Sequence, residues 1–593
     1  MMTVTIWQRR QEQAGRRPII LRKETPMKHK KLFYNGEILT ANAFDEIAEA
    51  LVYEGERILF VGTAAEARQL LDDDTELIDL QGRAMLPGFI DCHFHALSGM
   101  SAAAGQLDLS TAPTLSHLLG TIRTAAARLP RGEWIFAAGY DPHRLPEQRH
   151  PTREELDAVA PDHPTLLSPD GAHMGVANTA ALEAGHFFDG TVSYPADGVV
   201  MEADSPTGLL LEDAYFTLLS RSPLSGSDGQ LLSRLQETYR QLSAHGITGL
   251  HEAGGLGAAA LRVLQQARKA HLLTARTYAM LWSCYGKAVQ EQLCGHAFSL
   301  GIFSGLGDDL LRVGPVKLLL DGPLPTPASP PSPPTADAIF AHAALRAPDR
   351  NSTHLAPLHY PKEALVQAVI EAHRAGCQIA AHALGDRALE ALLDACEAAG
   401  AAAPRADCRH RVEHCLVCPP DLQQRIAAQK MVPVLGPAFL SRPGELWRTQ
   451  AEAQSHPHLL PLRSLLDAGI PCAFGSDSTE AQLTPPLCTI AAAIDRKLPD
   501  GTRLSPEQGI TLPEAVRCHT LNGAYACFAE DAYGSLEWGK YADLVILSDA
   551  ITDKTPDEIR ELQVERTVFA GKTVYDRQSA PQTTPQQSQL VLV

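Results

Sequence analysis

Between Ala84 and Asp477 the chain repeats one pattern: short apolar runs alternate with longer stretches whose apolar residues recur at helical spacing. The short runs are "AMLPGFI", "WIFAAGY", "TLLSP", "ITGLHEA", "RVGPVKLLL", "QIAAHAL", "HRVEHC", "MVPVL" and "PCAFGSD". The longer ones are "TLSHLLGTIRTAAARL", "GQLLSRLQETYRQLSAHG", "KEALVQAVIEAHRAG", "RALEALLDACEAAG" and "LRSLLDAG", several of them ending at a glycine placed as a helix C-cap. Repeated strand–helix units predict an α/β fold around a parallel sheet, open or closed into a barrel. Residues 108–225 are too many for one connection and predict an insertion. The run "DGPLPTPASPPSPPTADA" after Leu320 is too rich in proline for regular structure.

Both ends have a different texture. "KLFYNGEIL", "EALVYEGERILFVG" and "TELIDL" alternate apolar and polar positions around Asn-Gly and Glu-Gly turns, and "ADLVILSD" and "VERTVFAGKTVYD" repeat that texture near the C-terminus. Chain ends often lie close together, so residues 30–85 and 535–576 are expected to form one composite β-sandwich domain beside a main domain over residues 86–534. Residues 1–29 read as a disordered extension in which Met27 is an alternative start, and the tail over residues 577–593 reads as disordered.

Composition adds exclusions. A chain of 593 residues with 45% hydrophobic and 20% charged residues can bury a large core. A net charge of −18 gives no basic footprint for nucleic acid or anionic lipid, and the absence of a long apolar run excludes a spanning helix. A small molecule is the expected partner, with a homo-oligomer left open. The N-terminus lacks the apolar core of a signal peptide. The 12 scattered cysteines then read as reduced thiols of a cytoplasmic protein, and Cys415 and Cys418 lack the second pair of a four-thiolate zinc site.

The chemistry lies at the ends of the apolar runs. Alternate residues of a strand share a face, so His93 and His95 in "GFIDCHFHALSG" can point together, although such a pair alone also occurs as two strand-end side chains bonded to carbonyls or water. Later runs end in His382, His414 and Asp477, residue types that bind a borderline metal such as zinc better than magnesium or calcium. Lys317 stands inside an apolar strand. Burial there favours its neutral amine, which can take up carbon dioxide to give a metal-bridging carbamate; otherwise it bonds strand-end carbonyls or pairs with Asp321. Glu413, next to His414, faces away from it in a regular strand.

The order HxH, Lys, His, His, Asp resembles the amidohydrolase superfamily, and within it the YtcJ-like amidohydrolase 3 family that includes N-substituted formamide deformylases. "LPGFIDCHFH", "GAHMGVANTAAL", "GITGLHEAGG", "AHALGDRALEALLDA", "RVEHC", "GSDS" and "GSLEWGKYADLVIL" carry the likeness from Leu32 to Asp576. The resemblance implies a TIM-like (β/α)8 metal-dependent hydrolase barrel. His93, His95 and Asp477 would hold one divalent metal, and His382 and His414 a second, bridged by carboxylated Lys317. Metal-bound hydroxide would attack an amide-type C–N substrate, with Asp477 as general base and acid. His173 and Asn178 would reach the substrate from the insertion, and Asp321 from the strand end that follows Lys317. Where relatives carry a Ser-Leu-Gly-Ser-Arg-type run this chain has "PLPTPASPPSPP", and "MVPVLGPAFLSRPGELW" lacks a histidine near its strand end; both bear on substrate and leave the ligands intact. Two rivals remain: a one-metal, deacetylase-like site with Lys317 uncarboxylated, and a non-catalytic scaffold, against which all six ligands are present. No GxGxxG opens a helix after an early strand, so a dinucleotide-binding fold is set aside.

Overall fold

The computed structural model describes residues 30–97, 107–142, 145–169, 174–188, 198–202, 205–222, 227–255, 257–282, 294–321, 346, 358–440, 458–479, 483–498 and 500–579. The N-terminal extension, His173, the proline-rich run and nearly all of the C-terminal tail lie outside them.

Eight parallel strands form the centre: Phe89–His95 (β1), Ile247–Glu252 (β2), Arg276–Leu281 (β3), Leu311–Leu319 (β4), Ile379–Ala383 (β5), Arg411–His414 (β6), Val432–Leu435 (β7) and Ala473–Phe474 (β8). They pair in that order. Beyond β8 the chain regains strand geometry at Ser478–Thr479, which pairs in parallel with Phe94 and His95 of β1. The last strand therefore touches β7 with one half and β1 with the other, and the sheet closes on itself as a barrel. Runs such as β5 are buried along their whole length because helices cover the outer face and side chains fill the inner one.

Register decides which residues meet inside. Lys317, Ala380, Arg411 and Val432 align across β4 to β7, and Leu319, His382, Glu413 and Val434 form the next row towards the strand ends. Aligned residues of neighbouring parallel strands face the same way, so Lys317, His382, Arg411 and Glu413 share one face of the sheet.

The covering helices show why their sequences stop where they do. Asp228–Ala244 begins at a capping box between Ser227 and Gln230 and buries Leu231, Leu235 and Leu242, each burial stabilising by roughly 1.5–3 kcal/mol. Gly246, Gly376 and Gly469 follow three helices with φ of 78°, 89° and 71°, the left-handed position that glycine takes without strain. The helix Asp386–Ala402 runs through Gly400 instead of ending there.

Segments from both chain ends share one mixed sheet. Ala84–Pro87 pairs in parallel with Lys30–Leu39 and antiparallel with Leu544–Leu547, whose far edge carries Val564–Phe569 and Lys572–Asp576. Because Ala84–Pro87 is paired on both edges, strands from both ends of the chain join in one continuous hydrogen-bonded sheet. Between β1 and β2 lies a further six-stranded sheet running from Leu107–Asp108 to Ser205–Leu211, with apolar clusters of its own.

Candidate metal centre

Six residues that the sequence singles out as ligands lie together at the C-terminal mouth of the barrel. His93 and His95 project from β1. The His93 ring lies 5.5 Å from that of His95 and 4.8 Å from that of His414, and the His414 ring lies 4.6 Å from that of His382. Lys317 Nζ is 3.0 Å from His93 Nε2. Asp477 completes the group, its Oδ1 standing 3.5 Å from His93 Nε2 and 3.2 Å from His95 Nε2.

The "GSDS" stretch explains how Asp477 arrives there. Gly475 N–H donates to Leu435 of β7, and Asp477 N–H donates to the His93 carbonyl at 2.8 Å. A Cβ at residue 475 would stand 2.4 Å from the His93 Cβ, so only glycine allows this approach. Asp91 fastens the same seam, accepting from Ser476 N–H at 3.0 Å and from His93 N–H at 3.2 Å. Its burial pushes the carboxyl up to about 6, with the bonds from Ser476 and His93 acting against that rise.

Two backbone conformations mark the site as strained. His414 has φ of 70° and Asp477 φ of 51°, in the left-handed region where residues with a Cβ lose roughly 1–2 kcal/mol. At His414 the consequence is specific. A regular strand would send Glu413 and His414 to opposite faces, but the turn at His414 lets both serve the interior.

Glu413 is the residue that sequence reasoning set aside. It is wholly buried and accepts from His93 Nδ1–H at 2.5 Å. His95 Nδ1–H donates in turn to the Gly254 carbonyl at 2.8 Å. With both Nδ1 atoms acting as donors, the neutral rings keep their lone pairs on Nε2, the atoms that face Asp477. Burial, assisted by the Lys317 cation, lowers His93 to about 4, and burial lowers His414 to about 3, so neither is charged at neutral pH. Burial works against a cation at His95, yet the hydrogen bond and charge of Asp477 outweigh it and raise its pKa. Against its own burial, Asp477 is held well below the usual carboxylate range by His93, His95 and His414. Burial draws Lys317 down to about 8, opposed by Glu413 and Asp477.

The donor set fits a metal. The ligand atoms of His93, His95 and Asp477 lie within 4.8 Å of one another, two imidazole nitrogens and a carboxylate directed at one point. His382 and His414 stand beside them, Lys317 Nζ approaches His93, and the group lies towards the C-terminal strand ends, where barrels of this kind carry their chemistry. Trp282, 6.2 Å from the His95 ring and packed on the apolar cluster of the inserted sheet, and Phe439, 6.0 Å from the His414 ring, flank the group.

Two residues expected to touch substrate are held by backbone groups. Asn178 has no exposure: its carbonyl oxygen accepts from Thr165 N–H and Ala181 N–H, each at 2.9 Å, and its amide donates to Ala160 O and His163 O. It is the N-cap of Thr179–Ala184, with its hydrogen-bonding capacity filled by backbone. Asp321 is equally buried and accepts from Leu384 N–H at 3.0 Å and Gly385 N–H at 2.8 Å, with His382 Nε2 3.6 Å away. These bonds hold the end of β5.

A second group of donors, His373, Cys408 and His410, is hydrogen-bonded in a way that opposes metal binding. Ile379 N–H donates to His410 Nδ1 at 3.0 Å, so the neutral His410 ring carries its proton on Nε2 and gives it to His373 Nδ1 at 3.0 Å; His373 Nε2–H then donates to Ala403 O at 2.7 Å. A metal on His410 Nε2 would require an imidazolate. The described cysteines are all free thiols, and no helix among the described residues is long and apolar enough to cross a membrane.

Comparison with known proteins extends over nearly the whole chain. The profile of the amidohydrolase family matches residues 76–575. N-substituted formamide deformylase of Arthrobacter pascens is 31% identical over 557 residues, covering 92% of this chain and 98% of that protein. The YtcJ protein of Bacillus subtilis (strain 168) is 26% identical over 567 residues, covering 92% and 100%. Among solved structures, an uncharacterized metal-dependent hydrolase from Pyrococcus horikoshii OT3 superposes with a TM-score of 0.69 at 22% identity, over 89% of this chain and 99% of that one, a likeness of fold.

Proposed function

The chain belongs to the amidohydrolase family and is a hydrolase, and from that premise we propose that it cleaves a non-peptide C–N bond in an amide-type small molecule. N-substituted formamides are the first class to test, because the Arthrobacter pascens relative is a deformylase of such compounds. The observation that carries this reading is the convergence of His93 Nε2 and His95 Nε2 on Asp477 Oδ1.

His93, His95 and Asp477 would hold one divalent ion, with His382 and His414 holding a second and carboxylated Lys317 joining the two. Such an ion, zinc by the imidazole-rich donor set, supplies Lewis acidity towards the substrate carbonyl and lowers the pKa of water into the neutral range. The protein's own groups do the rest. Asp477 is ionised, and its side chain keeps 32% of its exposure while that of His93 keeps 3%, so its carboxylate fronts the open side of the group. It accepts a proton from the attacking water as the new C–O bond forms. It then delivers that proton to the departing nitrogen as the C–N bond breaks.

A one-metal variant has an observation in its favour, since His382 Nε2 lies towards Asp321 and the close-set donors are those of His93, His95 and Asp477. Metal content of protein purified without chelator separates the two. About two equivalents, falling in His93→Ala/His95→Ala, together with release of formate from N-substituted formamides, is the expected result; about one equivalent selects the mononuclear form. Protein that takes up no metal after incubation with zinc and bicarbonate and hydrolyses no amide refutes the proposal.

A further inference from the structure

Beneath the centre the barrel interior holds buried polar groups that the proposed hydrolysis does not use. Glu413 accepts from His93 Nδ1–H, and both of its oxygens accept from Arg411, whose Nε reaches Oε1 at 2.8 Å and whose Nη2 reaches Oε2 at 3.0 Å. Arg411, also without exposure, donates further to the Cys92 carbonyl at 2.6 Å and to His251 Nδ1 at 2.8 Å. One guanidinium thus ties β6 to β1 and β2, gripping β1 at the residue before His93. The planar fork of arginine is suited to this two-point grip on a carboxylate. His95 is backed differently, by the neutral Gly254 carbonyl.

We propose that Glu413 is the positioning residue of His93, fixing it as the Nδ1–H tautomer and aiming Nε2 at the metal, while Arg411 holds Glu413 in place as an anion. The inference rests on the metal-dependent reading. A carboxylate behind a ligating imidazole fixes the ring's orientation and raises its donor strength, and losing it weakens metal binding by roughly 10–100-fold. A buried ion pair kept only for packing would behave otherwise, because replacing both partners with neutral groups of similar size is often neutral or stabilising.

The test pairs variants with a measurement on the unaltered protein. Glu413→Gln leaves Arg411 as an unpaired buried cation and endangers folding, so Arg411→Met/Glu413→Gln removes both charges together. Metal loss to a chelator is followed for each, beside its melting temperature without metal. The expected result is a double variant that folds yet loses zinc roughly 10–100-fold faster than wild type; wild-type retention in that folded variant overturns the proposal. In metal-free wild-type protein, nitrogen-15 histidine NMR, with His93 assigned through His93→Ala, should show the proton on Nδ1. A proton on Nε2 overturns the proposal whether or not the variants fold. If wild type itself binds no metal, the hydrolase reading fails, while the tautomer still decides the arrangement of His93 and Glu413.

Discussion

Carboxylation of Lys317 makes a quantitative demand on pH. Only the neutral amine attacks carbon dioxide, forming an N–C bond and releasing one proton. Burial brings Lys317 down to about 8, with Glu413 and Asp477 opposing the fall. At pH 7 roughly one molecule in ten then carries the neutral amine, against about one in 2,500 for an ordinary lysine near 10.4, a gain of roughly 200-fold. The sign follows from a base with a depressed pKa: the reactive form grows as pH rises and saturates once pH passes the folded value. Metal-stripped protein, given zinc at constant dissolved carbon dioxide, should regain metal about tenfold faster at pH 7 than at pH 6, and the rate should level off above about pH 8.5. Native mass spectrometry should register one added carbon dioxide, absent in Lys317→Met. Recovery at the same rate without carbon dioxide, or a rate still climbing tenfold per unit beyond pH 9, would refute the reasoning and leave the one-metal form.

Asp477→Asn should lower kcat by roughly 10²–10⁴-fold, the usual contribution of a placed acid–base group, and steady-state hydrolysis measures it. Gly475→Ala drives a Cβ to 2.4 Å from the His93 Cβ; the overpacking should cost about 1–3 kcal/mol in melting experiments and speed metal loss. Asn178→Ala removes an N-cap and leaves Thr165 N–H without its acceptor, for a loss of about 2 kcal/mol with KM unchanged; a raised KM at unchanged stability would return Asn178 to the substrate. Cys408→Ser should leave metal content as it is in wild type.

The barrel was legible because its signals are local. Apolar runs that end in His93, His382, His414 and Asp477 place strands and ligands at once, and glycines such as Gly246 and Gly376 mark helix ends by a conformation that few other residues accept. Asn178 and Asp321 have backbone partners that the sequence does not announce. A polar residue near a pocket reads as a ligand contact, and the backbone groups that bond to it become visible only in the structure.

Glu413 was illegible because the rule that excluded it assumes a regular strand. Alternation holds from Arg411 to Glu413, which share the inner face, and fails at His414, whose φ of 70° lets it join the interior beside its neighbour. Nothing in "RVEHC" announces that turn. Its energetic cost is met by what surrounds it: Arg411 grips Glu413 at two points, Glu413 holds His93, and Val417 N–H is anchored to Leu384 O beyond the turn. A conformation that a lone His414 would abandon is thus held by contacts from β1, β5 and β6, so the strain at the mouth of the barrel and the buried charges beneath it belong to one arrangement. Its two parts should therefore fail together: loosening Arg411 and Glu413 should disturb His414, the next residue along the strand, as well as His93.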